Sequence, residues 1–207
     1  MIGLHPAGGY KDGDDTYESE VINTMALLPY AKVEQCCQEL QDLYKARRPL
    51  NVSLMIANSE PVALAGQELG NALLRHAALS PKLREMAILR NARNCGAHYE
   101  WVAHIPAAKA SGVTDEQIEA INGWWHSAAV FSEVEKLVLQ FTDELSRGVK
   151  GRRETLEGLK KHLSPREIIE LIFTIGYWGL VARLLETLEV DFDDMVGKVN
   201  VAAPTRD

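Results

Sequence analysis

The stretch that decides the fold runs from Ser80 to Gly112 and reads SPKLREMAILRNARNCGAHYEWVAHIPAAKASG. Ser80 followed by Pro81 is typical of a helix start, because the serine side chain caps the first free amides and proline suits the first helical position. Gly96 and Gly112 follow the two apolar runs and fit the left-handed residue that often ends a helix. The stretch therefore predicts two consecutive helices joined by a short turn.

Similar helix starts recur along the rest of the chain. Capping boxes, in which a Ser or Thr and a Glu or Gln three residues later satisfy each other's backbone amides, begin at Thr114, Ser132 and Ser164. Ser59 is a further predicted N-cap. No convincing pairs of alternating strands bounded by turn dipeptides occur between these starts. We therefore predict an all-α protein.

The composition is that of an ordinary globular protein. The chain has 207 residues, of which 46% are hydrophobic and 25% charged, and this is enough apolar surface for one core. Residues 1–15, rich in Gly and Asp, are predicted to form a flexible arm ahead of a single helical domain at 16–207. A long apolar span at 168–185 contains Glu170 and Arg183, so we expect a buried core helix there instead of a membrane span.

Charge and cysteine content narrow the class of partner and the compartment. The formal net charge of −7 does not suit nucleic-acid binding, which needs clustered cations. The N-terminus lacks the basic and apolar regions of a signal peptide. The three cysteines are an odd number, and Cys36 and Cys37 are adjacent, which indicates a reducing compartment. We expect a cytoplasmic protein that binds neither nucleic acid nor a membrane.

Two short echoes predict an internal repeat. Leu-Ser-Pro occurs at 79–81 and again at 163–165, and Val-Ala-His at 102–104 has a partner in Val-Ala-Arg at 181–183. On this basis segments 79–112 and 163–190 would form similar helix pairs, with Arg183 in the place of His104.

Several motifs together resemble the carboxymuconolactone decarboxylase-like family, which also contains alkylhydroperoxidase D (AhpD). They are the REMAILR helix, the YEW run followed by a histidine three residues later, the later SPREIIEL segment, and the TIGYW segment with its VARLL tail. The likeness extends from about Pro49 to Asp194. It implies an AhpD-like fold of small antiparallel helices and assembly as a homo-oligomer, as a dimer, trimer or hexamer.

The resemblance also locates the family's functional positions in this chain. The peroxidase branch has a Glu, then a Cys-x-x-Cys twelve residues later, then a His four residues after the second Cys. Counted from Glu85, the two sulfur positions fall on Ala97 and Glu100, and the histidine falls on His104. Cys95 lies two positions before the first sulfur position and has no partner at the spacing that a dithiol peroxidase needs. Cys95 is therefore only a possible redox residue.

The remaining candidates suit proton transfer. On a helix, Glu100 and His104 stand four residues apart, so the carboxylate is expected to orient the imidazole and increase its basicity. The resemblance adds Glu85 on the preceding helix as a third catalytic candidate. Arg90, on the helix of Glu85, is a candidate cation for a substrate carboxylate. Tyr99 and Trp101 are candidate substrate-binding residues that line an apolar pocket.

The leading hypothesis is a carboxymuconolactone decarboxylase-like enzyme that acts on a small carboxylated or enolisable substrate by His/Glu proton transfer. One alternative is a thiol-dependent peroxidase that uses Cys95, and another is a non-enzymatic oligomeric scaffold. No cofactor is predicted. No metal site is predicted either, because His98 and Glu100 project from opposite sides of their helix and no second Cys/His pair follows at zinc spacing.

Overall fold

The computed structural model describes residues 26–123, 125–127 and 129–193. Within these ranges the α-helical and 3₁₀ segments are the regular structure, and no strand occurs, which confirms the predicted all-α class. The flexible arm predicted at residues 1–15 lies outside the described residues. The α-helices are α1 (Gln38–Ala46), α2 (Asn51–Ile56), α3 (Glu60–Arg75), α4 (Pro81–Cys95), α5 (His98–Ala110), α6 (Asp115–Asn122), α7 (Glu133–Arg147), α8 (Arg153–Leu159) and α9 (Pro165–Leu188).

Local capping explains where four of these helices, α4, α6, α7 and α9, begin. Ser80 accepts a hydrogen bond from the backbone amide of Leu83, and complete capping boxes form at Thr114, Ser132 and Ser164. The side chain of Ser59 precedes α3 without capping it. The predicted stops also hold at the ends of α4 and α5, where the two glycines at 96 and 112 have φ of 67° and 88°.

Helix α4 is the centre of the molecule. It packs against α5, α6, α7 and α9, and every residue from Leu83 to Arg93 is buried. A helix buried on all sides must satisfy its polar side chains internally. On α4 these are Arg84, Glu85, Arg90, Asn91 and Arg93.

Helix α9 contradicts the predicted repeat. Segment 163–190 holds one continuous helix of 24 residues, whereas segment 79–112 holds two helices separated by left-handed Gly96. Gly179 lies inside this helix and does not end it. The two Leu-Ser-Pro echoes thus share only a helix cap.

The same helix was expected to be a core element. By length and composition α9 is apolar enough to cross a membrane. However, Ile168, Leu171 and Ile175 pack into a core cluster that includes Leu83 on α4 and Phe141 on α7. In this structure α9 therefore acts as a core helix, which agrees with the sequence-based expectation.

Candidate functional site

The catalytic candidates meet at one cavity. It has a volume of about 350 Å³ and lies among α3, α4, α5 and α9. Glu85, Glu100 and His104 all contribute to its wall. The three catalytic candidates, which lie on two different helices, therefore border one cavity.

His104 is held from both sides of its ring. Its Nδ1 lies 2.9 Å from Glu85 Oε2, and its Nε2 lies 2.7 Å from Trp178 Nε1. The indole N–H can only donate, so Nε2 of His104 must be the acceptor and must carry no proton. The proton of the neutral ring is therefore on Nδ1 and is donated to Glu85. This arrangement fixes both the orientation and the tautomer of the imidazole.

Glu85 is nearly inaccessible, with 1% of its surface exposed. Its Oε1 accepts a hydrogen bond from Arg84 Nε at 3.2 Å, and its Oε2 accepts from His104. A buried carboxylate needs such partners for both oxygens. Arg84 and His104 supply them, so Glu85 is a fixed acceptor behind the imidazole.

Glu100 does not pair with His104, contrary to the expectation from their spacing. Its Oε1 accepts a long hydrogen bond of 3.4 Å from the side-chain amide of Asn91, and its Oε2 has no hydrogen-bond partner. Burial raises the pKa of Glu100 well above its ordinary value, against a small lowering by Asn91. Glu186 on α9 raises it further. The spacing of four residues predicted a Glu100–His104 pair. In the interior, however, residues of α4 and α9 are the hydrogen-bond partners of these two side chains.

Arg90 is placed away from the cavity, so its predicted role in binding a substrate carboxylate is wrong. Its guanidinium donates to both carboxylate oxygens of Asp143, with Nη2 at 3.0 Å from Oδ2, and to the carbonyl of Ile121 at 3.0 Å. Although burial alone would raise it, hydrogen bonds from Arg90 and Asn94 hold the pKa of Asp143 below its ordinary value. Because its donors are committed to protein groups, Arg90 is a structural cation.

Of the two aromatic residues predicted to bind substrate, Tyr99 lines the cavity and Trp101 does not. Tyr99 lines the cavity, although its hydroxyl is hydrogen-bonded to Asp193 and its ring stacks on Phe192. Trp101 is 1% exposed and belongs to the core cluster below α5, so the structure contradicts a role in contacting substrate. Its indole Nε1 has no hydrogen-bond partner.

The cysteines lie apart from the cavity. Cys95 is half-buried at the end of α4 and packs against the core cluster that contains Trp101. Cys36 and Cys37 belong to a different cluster around α1. None of the three forms a disulfide, and none contributes to the cavity wall. The geometry therefore gives the thiol alternative no link to the site.

Two aromatic residues of the site, Tyr177 and Trp178, were considered from the sequence as possible pocket residues but were not among the predicted site residues. Trp178 binds His104, and Tyr177 lines the cavity and donates from its hydroxyl to the carbonyl of Gly66 at 3.0 Å. Both lie in the TIGYW segment that carried part of the family resemblance. That resemblance was the available signal, because Trp178 is 74 residues from His104 and no local spacing relates them.

A larger open groove of about 660 Å³ lies around Asp143, His126 and Arg147. None of the three catalytic candidates borders it. One of its carboxylates, Asp143, is already bound by Arg90, Asn94 and Trp125. We therefore take the smaller cavity at His104 as the candidate site.

Comparison with known proteins supports the fold and the family. Residues 62–144, which include all three catalytic candidates, match the carboxymuconolactone decarboxylase family. No curated protein matches the chain in sequence. An uncharacterized peroxidase-related protein from Silicibacter sp. TM1040 has a TM-score of 0.72 at 17% identity, over 84% of this chain and 94% of that one.

Two further solved structures share the architecture. The alkylhydroperoxidase AhpD core of an uncharacterized peroxidase-related protein from Ralstonia eutropha JMP134 has a TM-score of 0.71 at 15% identity, over 88% of this chain and 98% of that one. A cysteine-to-alanine variant of the debrominase Bmp8, in complex with 2,3,4-tribromopyrrole, has a TM-score of 0.70 at 15% identity, over 84% and 96%. Such low identities show a shared fold alone. Residues 62–144 thus match the carboxymuconolactone decarboxylase family, and the chain has the AhpD-like helical fold.

Proposed function

We propose that the protein is an enzyme that binds a small carboxylated or enolisable molecule in the cavity and transfers a proton at His104. The observation that carries this proposal is the imidazole of His104, held between Glu85 and Trp178 at the wall of a cavity of about 350 Å³. A ring with a fixed tautomer and a carboxylate behind it is the arrangement that general acid–base catalysis requires. The family match at residues 62–144 and a debrominase of similar fold are consistent with an enzyme.

Glu85 would favour a second proton on the imidazole of His104, and Trp178 would oppose it. When the imidazole takes a second proton, Glu85 stabilises the cation through the hydrogen bond from Nδ1. Trp178 occupies Nε2, and a protonated Nε2 would face the indole N–H donor to donor. The ligand must therefore displace the indole from Nε2 before proton transfer, so the site reacts only when it is filled.

The proposed reaction class is decarboxylation or a related enolisation. In decarboxylation, the bond between the carboxylate carbon and its neighbour breaks and carbon dioxide leaves. The electron pair remains on the substrate as an enolate. His104, once its Nε2 is released from the indole, takes a proton from water and donates it to the enolate carbon, which returns the imidazole to its neutral form. The hydroxide left by that water combines with the carbon dioxide as hydrogencarbonate. The enolate is the charge that the site must stabilise.

Two arginines replace Arg90 as candidates for binding a substrate carboxylate. Arg47 and Arg75 line the cavity, and both also line an adjoining cavity of about 380 Å³. Both are exposed, and neither has an ion-pair partner among the described residues. Unpaired cations at the entrance of a cavity attract anions and increase their local concentration. Together they favour a substrate with its carboxylate at the entrance and its reacting carbon near His104.

The test is turnover of a panel of small lactone carboxylates and β-keto acids, followed by release of carbon dioxide and by deuterium incorporation in heavy water. His104→Gln should lower kcat/KM by about 10²–10⁴-fold, because an amide cannot shuttle a proton. His162→Gln is the matched control, since that histidine is paired with Glu133 at 3.6 Å and does not border the cavity. Equal turnover by the parent and by His104→Gln would contradict the proposal.

The alternative peroxidase activity through Cys95 comes from the resemblance to the family's peroxidase branch, and Cys95 does not border the cavity. A scaffold without activity is the remaining alternative. Ligand-dependent stabilisation separates the scaffold from an enzyme, because only a ligand that prefers the folded state raises the melting temperature.

We further propose that the protein is a cytoplasmic homo-oligomer. Exposed apolar side chains on α3 and α9 form one candidate interface; they are Val62, Leu69, Ile169, Ile172, Phe173 and Leu180. The two helices pack against each other, so these side chains belong to neighbouring elements. Contiguous exposed apolar surface of this kind marks an interaction site. Size-exclusion chromatography with light scattering should show a dimer, trimer or hexamer that Phe173→Glu dissociates.

A further inference from the structure

Glu100 is a buried polar group that the proposed relay does not use. It is 2% exposed and borders the cavity, and its Oε2 has no hydrogen-bond partner. Its other oxygen has one long hydrogen bond, from Asn91, whose own side-chain oxygen accepts from Ser146 at 3.0 Å. An unsatisfied buried oxygen costs about 1–3 kcal/mol. A carboxyl group left in this state at a cavity wall indicates a partner supplied by a ligand.

Two arginines, one on α4 and one on α9, have partners other than Glu100. Arg84 binds Glu85 and the carbonyl of Leu73, and Arg183 binds the carbonyl of Gly179. No ion pair reaches Glu100 among the described residues. The nearby ring of His104, on the same helix, has both nitrogens engaged by other groups.

Charge and burial both oppose ionisation of this carboxyl. Desolvation is the largest cause that raises the pKa of Glu100, and the negative charge of Glu186 adds to it. A carboxylic acid kept neutral by an apolar site has one O–H donor. In a site of this kind such a donor can stabilise an oxyanion.

We propose that Glu100 enters the cavity as a neutral carboxylic acid and donates a hydrogen bond to a ligand oxygen that is, or becomes, negatively charged. The ligand class is an enolate, a phenolate or a carbonyl compound that forms an enolate. A cationic or purely alkyl ligand gives the O–H no acceptor. This inference rests on the proposed function only in taking the cavity as the substrate site, and it gives Glu100 a role separate from the acid–base role of His104.

The geometry also divides the substrate among three groups. A carboxylate lies at the arginines of the entrance, the reacting carbon lies near His104, and the enolate oxygen lies at Glu100. The developing charge thus meets a donor that is already in place before the reaction. The donor replaces water, which a cavity of this size largely excludes once it is filled.

The first experiment reads the protonation state without any ligand. Infrared difference spectra of the parent minus Glu100→Gln at neutral pH should contain the carbonyl stretch of a protonated carboxyl group. Glu135→Gln is the matched control, because Glu135 is also buried but is paired with Lys82 at 2.7 Å, so it should give no such band. Absence of the band in the Glu100 difference spectrum would overturn the proposal.

The second experiment measures binding of 4-nitrophenolate as an enolate mimic. Glu100→Gln keeps a neutral donor and should bind within about threefold of the parent, whereas Glu100→Leu should bind about tenfold or more weakly, since hydrogen bonds to charged groups are the stronger ones. Circular dichroism and melting temperatures check that each variant folds. Equal binding by all three proteins, no binding by the parent, or much tighter binding by Glu100→Gln would each overturn the proposal.

The two proposals fail separately. If His104→Gln leaves turnover unchanged while Glu100→Leu weakens the probe, the proton-transfer function is wrong and the donor site stands. If His104→Gln abolishes turnover while Glu100→Leu changes neither probe binding nor kcat/KM, the donor site is wrong and the proton-transfer function stands.

Discussion

Helix α4 has two buried charged residues, Arg90 on one side and Glu85 on another, and the two residues differ in their surroundings. Arg90 binds Asp143 with two hydrogen bonds and the carbonyl of Ile121 with a third, so each of its three nitrogens donates to a protein oxygen. Glu85 is as buried as Arg90, but the imidazole that it binds is 18% exposed and borders a cavity.

The difference shows that burial and charge alone do not identify a functional site. Arg90 and Glu85 are five residues apart on the same helix, and both were reasonable candidates from residue type. What separates them is access, since His104, the partner of Glu85, borders the cavity, whereas Arg90 does not border it and is paired with Asp143. A buried ion pair away from a cavity contributes to structure, and a polar group beside a cavity is available for chemistry.

The largest loss of stability is expected on the side of α4 where Arg90 binds Asp143, which we call the closed side; the side of Glu85 and His104 is the cavity side. Asp143→Ala leaves the Arg90 guanidinium buried without its carboxylate and also removes the acceptor of Asn94 and Trp125. Breaking a buried ion pair by removing one partner costs about 3–5 kcal/mol. Denaturant unfolding should show this loss.

Glu133→Ala is the control on the same helix. Glu133 is an exposed carboxylate paired with His162, and such pairs contribute about 0–1 kcal/mol. If Asp143→Ala were no more destabilising than Glu133→Ala, the closed side of α4 would not be a structural ion pair.

The two sides are next expected to respond to pH in opposite directions. The folded pKa of Asp143 lies below its ordinary value of 3.8, so the stability it contributes is present above that value and is lost as pH falls through the folded pKa. The folded pKa of Glu100 lies above its ordinary value of 4.5, so its contribution is present below 4.5 and is lost as pH rises toward the folded pKa.

Glu100→Gln isolates the cavity side of this comparison. The free energy of unfolding of the variant should exceed that of the parent by an amount that grows above pH 4.5, at about 1.4 kcal/mol per pH unit until the folded pKa is reached. Denaturant unfolding at several pH values gives the slope. A difference that is independent of pH would mean that Glu100 ionises in the folded protein as it does in the unfolded chain.

A smaller effect is expected from the indole that binds His104. Trp178→Phe keeps most of the ring but removes the donor to Nε2, which should cost about 0.5–1.5 kcal/mol. The ¹⁵N chemical shift of Nε2 should move to that of an unprotonated nitrogen without a hydrogen bond.

Trp101→Phe is the matched control for Trp178. Trp101 is equally buried, but its Nε1 has no partner, so the substitution removes no hydrogen bond. The Nε2 signal of His104 should stay in place in this variant. A shift in both variants would mean that the signal reports general repacking instead of the indole contact.

Much of the fold followed from local sequence. The capping residues Ser80, Thr114, Ser132 and Ser164 cap helices where the sequence placed them, because a cap depends on groups within three residues. The repeat did not follow, because an echo of three residues at a cap does not determine whether the next 20 residues turn or continue. In α9 the helix continues through Gly179 without a break.

The sequence predicted the site only in part, because the contacts between side chains depend on how the helices pack. The helical spacing placed Glu100 and His104 near one cavity but assigned them to each other, whereas tertiary packing gave His104 to Glu85 and Trp178. Arg90 was misassigned because its partner lies 53 residues away on α7. Pairings of this kind depend on how helices pack and leave no local pattern in the sequence.

The smallest effect on activity and stability is expected from a substitution of Cys95, which tests whether the thiol takes part in the chemistry. Cys95 packs against core side chains, with Sγ 4.0 Å from Asn91 Oδ1, and it does not border the cavity. Cys95→Ser should therefore change kcat/KM by less than about twofold and stability by about 1 kcal/mol or less. A dithiol mechanism would need a second thiol within disulfide reach, and the other two cysteines pack in a different cluster. Assays with a carboxylated substrate and with hydrogen peroxide plus a dithiol reductant decide the matter. Peroxide turnover by the parent that Cys95→Ser abolishes would show that the reactive group is the thiol and that the cavity at His104 is not the site of chemistry.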